Sequence, residues 1–87
     1  MSNTKLSKIK CYDNDGETLD RYTVVYLTID EGNGLKGARA MNAHPMHPQG
    51  IGMYCSAEPG PHLGRVIEFS ELPLECQKLV NKDLEDL

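Results

Sequence analysis

Arg21-Tyr22-Thr23-Val24-Val25-Tyr26-Leu27-Thr28-Ile29 is the stretch on which the fold turns. Its β-branched and aromatic residues suit a pleated, half-buried surface and lose χ1 freedom in a helix. Alternation assigns Thr23, Val25, Leu27 and Ile29 to one face and Tyr22, Val24, Tyr26 and Thr28 to the other. Both faces carry apolar side chains, so this strand is expected in the middle of a sheet. One face should meet a helix, and loops should cover the tyrosines at least in part.

Upstream, Leu6 to Tyr12 reads as a short, polar-rich strand, joined by an Asn14-Asp15-Gly16 turn. Asp-Gly readily supplies the positive φ that tight turns need. Tyr12, beside that turn, is expected at the margin of the core. Downstream, Asp30-Glu31-Gly32-Asn33-Gly34 is a second turn. Gly37 to Asn42 then forms a weak third strand, with Arg39 and Met41 on one side and Ala38 and Ala40 on the other. Arg65 to Phe69 is a further short strand.

The C-terminus carries the helix. Leu72, Cys76, Leu79, Val80, Leu84 and Leu87 form a single apolar stripe, with Ser70 as N-cap and Pro73 in the first turn. Glu75, Lys78, Lys82, Glu85 and Asp86 occupy the opposite, solvated face. The expected fold is α+β: a small antiparallel sheet of three to five strands, one C-terminal amphipathic helix packed on a face, and a long Pro/Gly-rich loop. With 87 residues the chain suits a single domain spanning 1–87.

Residues 43–62 differ from the rest: they hold four of the five prolines and three of the eight glycines. Each proline removes an N–H and pushes its predecessor toward extended geometry, which excludes a regular central strand. Long irregular loops in small domains often carry function. The binding candidates are therefore His44, Met46, His47, Gln49, Ile51, Met53, Tyr54, His62 and Arg65. Met and Tyr are respectively adaptable and amphipathic, which suits a partner surface. The same apolar side chains serve equally as a lid over a thin core.

Composition narrows the classes. Thirteen acidic against nine basic residues give a net charge of −4, so duplex nucleic acid, which needs a clustered positive face, is not an expected partner. Lys5, Lys8 and Lys10 form a small basic patch that Asp13, Asp15 and Glu17 dilute. A protein partner with a basic or nucleic-acid-binding surface fits the net charge better. Cys11, Cys55 and Cys76 are odd in number and widely spaced, and no leader-like or membrane-spanning apolar run is present, so a reducing, cytoplasmic setting is expected.

Metal chemistry has one candidate set. His44 and His47 are spaced H-x-x-H, and Cys55 and His62 supply two further zinc-type ligands, although no C-x-x-C pair accompanies them. A Cys–His dyad built on Cys55 lacks an orienting third group and an oxyanion site, so no enzyme activity and no catalytic residue is assigned. Gly50-Ile51-Gly52 does not complete a dinucleotide fingerprint, and Asp13-Asn14-Asp15-Gly16 lacks the later glutamate of a calcium loop. A further alternative is single-stranded nucleic acid stacked on Tyr22 and Tyr26 beside Arg21, on an open sheet face.

Four segments together resemble a known group. They are Asp20-Arg21-Tyr22-Thr23-Val24-Val25, His44-Pro45-Met46-His47-Pro48-Gln49-Gly50, His62-Leu63-Gly64-Arg65, and Phe69-Ser70-Glu71-Leu72-Pro73 with Cys76-Gln77. In order and spacing they resemble small uncharacterised proteins encoded by bacteriophages, plasmids and integrated mobile elements. Members of that group tend to read Phe-Gly where this chain has Ile51-Gly52, and need not have cysteine at the position of Cys55, which counts against zinc. The resemblance implies a small accessory protein that occupies a host or phage protein's surface, inhibition of a CRISPR effector being one candidate class. The expected function is thus non-enzymatic protein binding, with zinc binding and single-strand binding as alternatives.

Overall fold

A computed structural model describes residues 8–18, 20–42 and 53–85. Five strands form one antiparallel sheet: β1 (Ile9–Asp13), β2 (Tyr22–Gly32), β3 (Leu35–Met41), β4 (Met53–Ala57) and β5 (Arg65–Ile67), in the order β4-β3-β2-β1-β5. A single α-helix, α1 (Leu74–Glu85), follows two short 3₁₀ turns at Pro61–Leu63 and Phe69–Glu71. The α+β class and the central place of the Arg21–Ile29 stretch are as expected.

Local chemistry explains each join. The β2–β3 hairpin closes through Asn33 and Gly34, both at positive φ (55° and 82°), the pair of left-handed residues that a two-residue hairpin turn demands. Between the pairs Tyr26↔Gly37 and Asp30↔Lys36, β2 advances four residues while β3 retreats one. This bulge turns Ile29 onto the same side as Tyr22, Val24 and Tyr26, where it packs at the edge of their cluster. Strict alternation had placed Ile29 on the other face.

The helix lies on the tyrosine face, so α1, and not a loop, buries Tyr22 and Tyr26. Leu72, Cys76, Val80 and Leu84 meet Ile9, Cys11, Tyr22, Val24, Tyr26, Met41 and Ile67 in one continuous core. Val24, Cys76 and Val80 are completely excluded from solvent. The start of the helix also differs from expectation. Pro73 forces Leu72 into an extended conformation (ψ 146°), so helical geometry begins only at Leu74 and Ser70 lies in the preceding 3₁₀ turn. The Gln77 side chain secures that join by donating to the carbonyls of Leu72 (2.8 Å) and Ser70 (3.4 Å). Leu87 and Asp86 lie outside the described residues.

The expected loop at 43–62 contains a strand: residues 53–57 form β4, paired with β3 from Ala57↔Lys36 to Met53↔Ala40. Proline is excluded from a central strand, but 53–57 holds neither proline nor glycine and sits at the sheet edge. β4 and β5 are opposite edges, four strand spacings or about 19 Å apart. Only residues 58–64 join them, a link that includes the 3₁₀ turn at Pro61–Leu63. Pro61 opens that turn and holds Gly60 before it in extended geometry (φ 169°, ψ 172°). The link crosses the face opposite the helix as a strap, packing Leu63 against a second cluster of Tyr12, Val25 and Ala38. Tyr12, 1% exposed, is a core residue of this cluster and not a marginal one.

The strap ends at Gly64, whose φ is +116° and where a Cβ would stand 2.3 Å from the carbonyl oxygen of Asp13. Backbone, not a movable side chain, blocks that position. Gly64→Ala should cost about 2–4 kcal/mol in urea denaturation. Gly16→Ala, also at positive φ but in open space, should cost only about 1 kcal/mol. Equal losses would refute the close-approach role of Gly64.

Candidate functional site

Three constellations are built on this frame. The first lies where β1 ends. Asp13 is 3% exposed, and its carboxylate accepts from Asp15 N–H (2.8 Å), from Arg21 Nε and Nη2 (2.8 and 3.1 Å) and from Arg65 Nη2 (3.0 Å). Arg65 Nε also donates to Asp15 at 3.2 Å. Asn14 organises the turn itself: its Oδ1 accepts from Gly16 and Glu17 N–H, and its Nδ2 donates to Thr18 Oγ1 and the Asp20 carbonyl. The hydrogen bonds from Arg21, foremost, hold the Asp13 carboxyl below the usual range against the opposing effect of burial.

The second constellation joins helix and sheet. Asp83 accepts a bidentate pair from Arg39, Nε at 2.6 Å and Nη2 at 2.8 Å, and a hydrogen bond from the Tyr26 hydroxyl. Burial, and then the hydrogen bond to Asp83, raise the Tyr26 phenol well above its ordinary value, so it stays neutral. The Tyr26 hydroxyl, deep in an otherwise apolar contact, is thereby satisfied by the helix.

The third is the strap-crossed face. By the pleat, Lys10 and Tyr12 of β1, Lys36 and Ala38 of β3, and Cys55 and Ala57 of β4 share it. Lys8, whose carbonyl accepts from Leu27 N–H, lies beside them. None of these three lysines forms an ion pair among the described residues; Lys10 Nζ stands 6.0 Å from the Tyr12 ring centroid. Between strap and sheet runs an open groove of about 320 Å³, lined by Lys10, Tyr12, Gly60, Pro61, Arg65 and Val66. Val66 is 58% exposed, whereas the Tyr12 hydroxyl is buried without a hydrogen-bond partner among the described residues.

Of the expected binding residues, Tyr54 is half-exposed on β4, its hydroxyl lying over Gly37, and His62 and Arg65 are exposed on the strap and β5. Met53 opens β4. His44, Met46, His47, Gln49 and Ile51 lie outside the described residues. Arg65 belongs to the Asp13 cluster, while Tyr54 and Ser56 sit on the opposite side of the sheet from the groove, Ser56 Oγ 3.5 Å from Glu31. Two of the four zinc candidates are thus described: Cys55 is half-buried within the strap-side cluster and His62 is exposed. Among the described residues no group of three or more His, Cys, Asp or Glu side chains is arranged to hold a metal. Tyr22 and Tyr26 are 8% and 1% exposed, so the stacking surface expected of them is closed by α1. No described helix is long and apolar enough to cross a membrane.

The thiols are held in their unreactive form. Burial pushes Cys11 up to about 12, with help from Glu68, and Cys76 up to about 11; burial likewise raises Cys55. Sequence reasoning missed Asp13, Asp83 and Tyr12 as organising residues. Asp13 had a signal in the Asp-x-Asp-Gly turn with Arg21 eight residues on, whereas Asp83 lay among ordinary helix-surface charges. Comparison with protein-family models, curated proteins and solved structures found no match for the chain.

Two outcomes test these clusters. Because the folded Asp13 value is depressed, its contribution is present in full above an ordinary aspartate pKa and is lost as pH falls from about 4 through the folded value. Asp13→Asn should therefore be less stable than the parent at pH 7, with the gap in urea midpoints narrowing below about pH 4; parallel curves would sink the assignment. Asp83→Ala should cost about 1–3 kcal/mol. Combined with Tyr26→Phe it should cost less than the sum, with coupling above about 0.5 kcal/mol; strict additivity would show that the hydroxyl and carboxylate act independently.

Proposed function

We propose that this chain is a non-enzymatic accessory protein of a mobile genetic element that binds a host or phage protein, inhibition of a CRISPR effector being one such role. The surface is the strap-crossed face of the sheet with its groove. The observation that carries this reading is the unequal covering of the sheet. Among the described residues, a whole helix seals one face while the other carries a seven-residue strap, with Val66 exposed and Leu27, Cys55, Ala57 and Leu63 half-buried. Apolar side chains rimmed by charge, on a rigid sheet, suit recognition better than chemistry. The raised thiol values support a non-catalytic role, since a cysteine nucleophile acts as its thiolate. The mobile-element setting is supported by the sequence resemblance, and the accompanying cytoplasmic location follows from the same context and from cysteine usage.

A photo-cross-linking residue at Val66 should give a discrete adduct in cells that express the protein. The same residue at Leu74, equally exposed at 62% but on the helix side, should not. Adducts from both positions alike, or from neither, would overturn the assignment of the face.

A further inference from the structure

Two turns of this molecule share a sequence type and a backbone, and differ in what holds them. Asp15-Gly16 has φ of 60° and 85°, Asn33-Gly34 has 55° and 82°, and all four residues are exposed. In the first turn the polar groups are engaged. Gly16 N–H donates to Asn14 Oδ1 at 2.9 Å, Asp15 N–H donates to Asp13 Oδ1 at 2.8 Å, and the Asp15 carboxylate accepts from Arg65 Nε at 3.2 Å. In the second, neither the Asn33 carboxamide nor the Gly34 N–H has a hydrogen bond among the described residues. Gly32 before it is also at positive φ, 91°, and a Cβ on Gly32 or Gly34 would meet no atom within 4 Å. The ladder leading to this tip is irregular between Tyr26 and Asp30 and again between Asp30 and Gly32.

We propose that Asn33-Gly34 is a site of spontaneous deamidation in the folded protein. The Gly34 nitrogen, giving up its proton to base, attacks Cγ of Asn33. The new N–Cγ bond closes a five-membered succinimide as the Cγ–Nδ2 bond breaks, and the amide nitrogen leaves as ammonia after taking up a proton. Water then opens the ring, at Cγ to give aspartate or at the main-chain carbonyl to give isoaspartate. Glycine has no side chain to shield the attacking nitrogen, and its backbone freedom with the open space around the turn permits the rotation that closure requires. The other described asparagines lack this arrangement. Asn14, Asn42 and Asn81 each precede a residue with a side chain, the Asn14 amide is bonded at both ends, and Asn81 lies within α1. Either product adds one negative charge to the −4 of the chain, next to Asp30 and Glu31 in sequence. Isoaspartate also lengthens the main chain by one methylene, in a two-residue turn that must hold Gly32 opposite Leu35. The molecule is thus altered with time at the tip of its β2–β3 hairpin, while the Tyr22–Tyr26 pairing lies on the far side of the bulge.

The test is a timed incubation of the full-length protein at 37 °C, folded and in urea, followed by peptide mass spectrometry with chromatographic separation of the isomers. In the folded protein the peptide holding residue 33 should gain one mass unit in two products. It should do so at least tenfold faster than the peptides holding Asn14 or Asn81, and at least fivefold faster at pH 8.5 than at pH 6. Isomerisation at Asp15-Gly16 passes through the same ring with water as the leaving group, and serves as the internal comparison. Urea should accelerate it at least fivefold more than it accelerates Asn33, because unfolding releases the bonds that hold only the first turn. Asn33→Gly, which keeps a positive-φ turn without a carboxamide, should abolish both products and leave the helix spectrum unchanged. An unchanged mass at residue 33 while the urea-treated chain reacts would overturn the proposal. Equal acceleration of the two turns by urea, or a mass gain that persists in Asn33→Gly, would do the same.

Discussion

One carboxylate organises an entire end of this sheet. Asp13 ends β1, and its two oxygens collect a turn amide and two guanidinium groups from β2's entry and β5's start. Arg21 and Arg65 are themselves exposed by more than a third, so their side of each contact is screened and individually weak. The carboxylate is different: with its side chain 4% exposed, it needs every donor it receives. The close approach of Gly64 depends on the same spot, because the strap can reach β5 only by passing against the Asp13 carbonyl.

From that fixed end the two faces of the sheet are closed by unequal means. On one, α1 runs back from β5 until Asp83 meets Arg39 of β3 and Tyr26 of β2, so the helix is anchored by an apolar stripe and by a charge-assisted fork. On the other, among the described residues, the seven that join opposite edges pack Leu63 against Tyr12, Val25 and Ala38. A chain of 87 residues has few side chains to spare for a second layer, and the resulting asymmetry directs attention to the thinly covered face.

The legible parts of this fold were those governed by local rules. The β2 pattern and the helix stripe from Leu72 to Leu84 follow from periodicity, and the turn at Asn33-Gly34 follows from the left-handed preference of its residues. What escaped depended on partners far away in sequence. The helix took the tyrosine face, where Asp83 meets Tyr26, and Ile29 changed sides through a bulge that alternation cannot foresee. Proline density around 43–62 concealed the clean five-residue run that forms β4. The segments behind the resemblance also acquire a structural sense. Arg21 and Arg65 serve Asp13, Leu63 and Gly64 complete the strap, and Leu72, Pro73, Cys76 and Gln77 launch and seat the helix. The fourth, His44 to Gly50, lies outside the described residues. The candidate surface itself was only partly legible, since the lysines' common face appears only once the registers of β1 and β3 are known.

The bond between Asp13 and Arg65 joins residues 52 positions apart, while β1, β2 and β3 pair with their immediate neighbours in the chain. Local hairpins close quickly, whereas a contact across so long a loop must first overcome its closure entropy. Sequence separation therefore favours an order in which the β1–β2–β3 meander forms first and β5, the strap and the helix join it. The strap, β5 and the helix, about the last third of the chain, are then what covers the two faces of that meander.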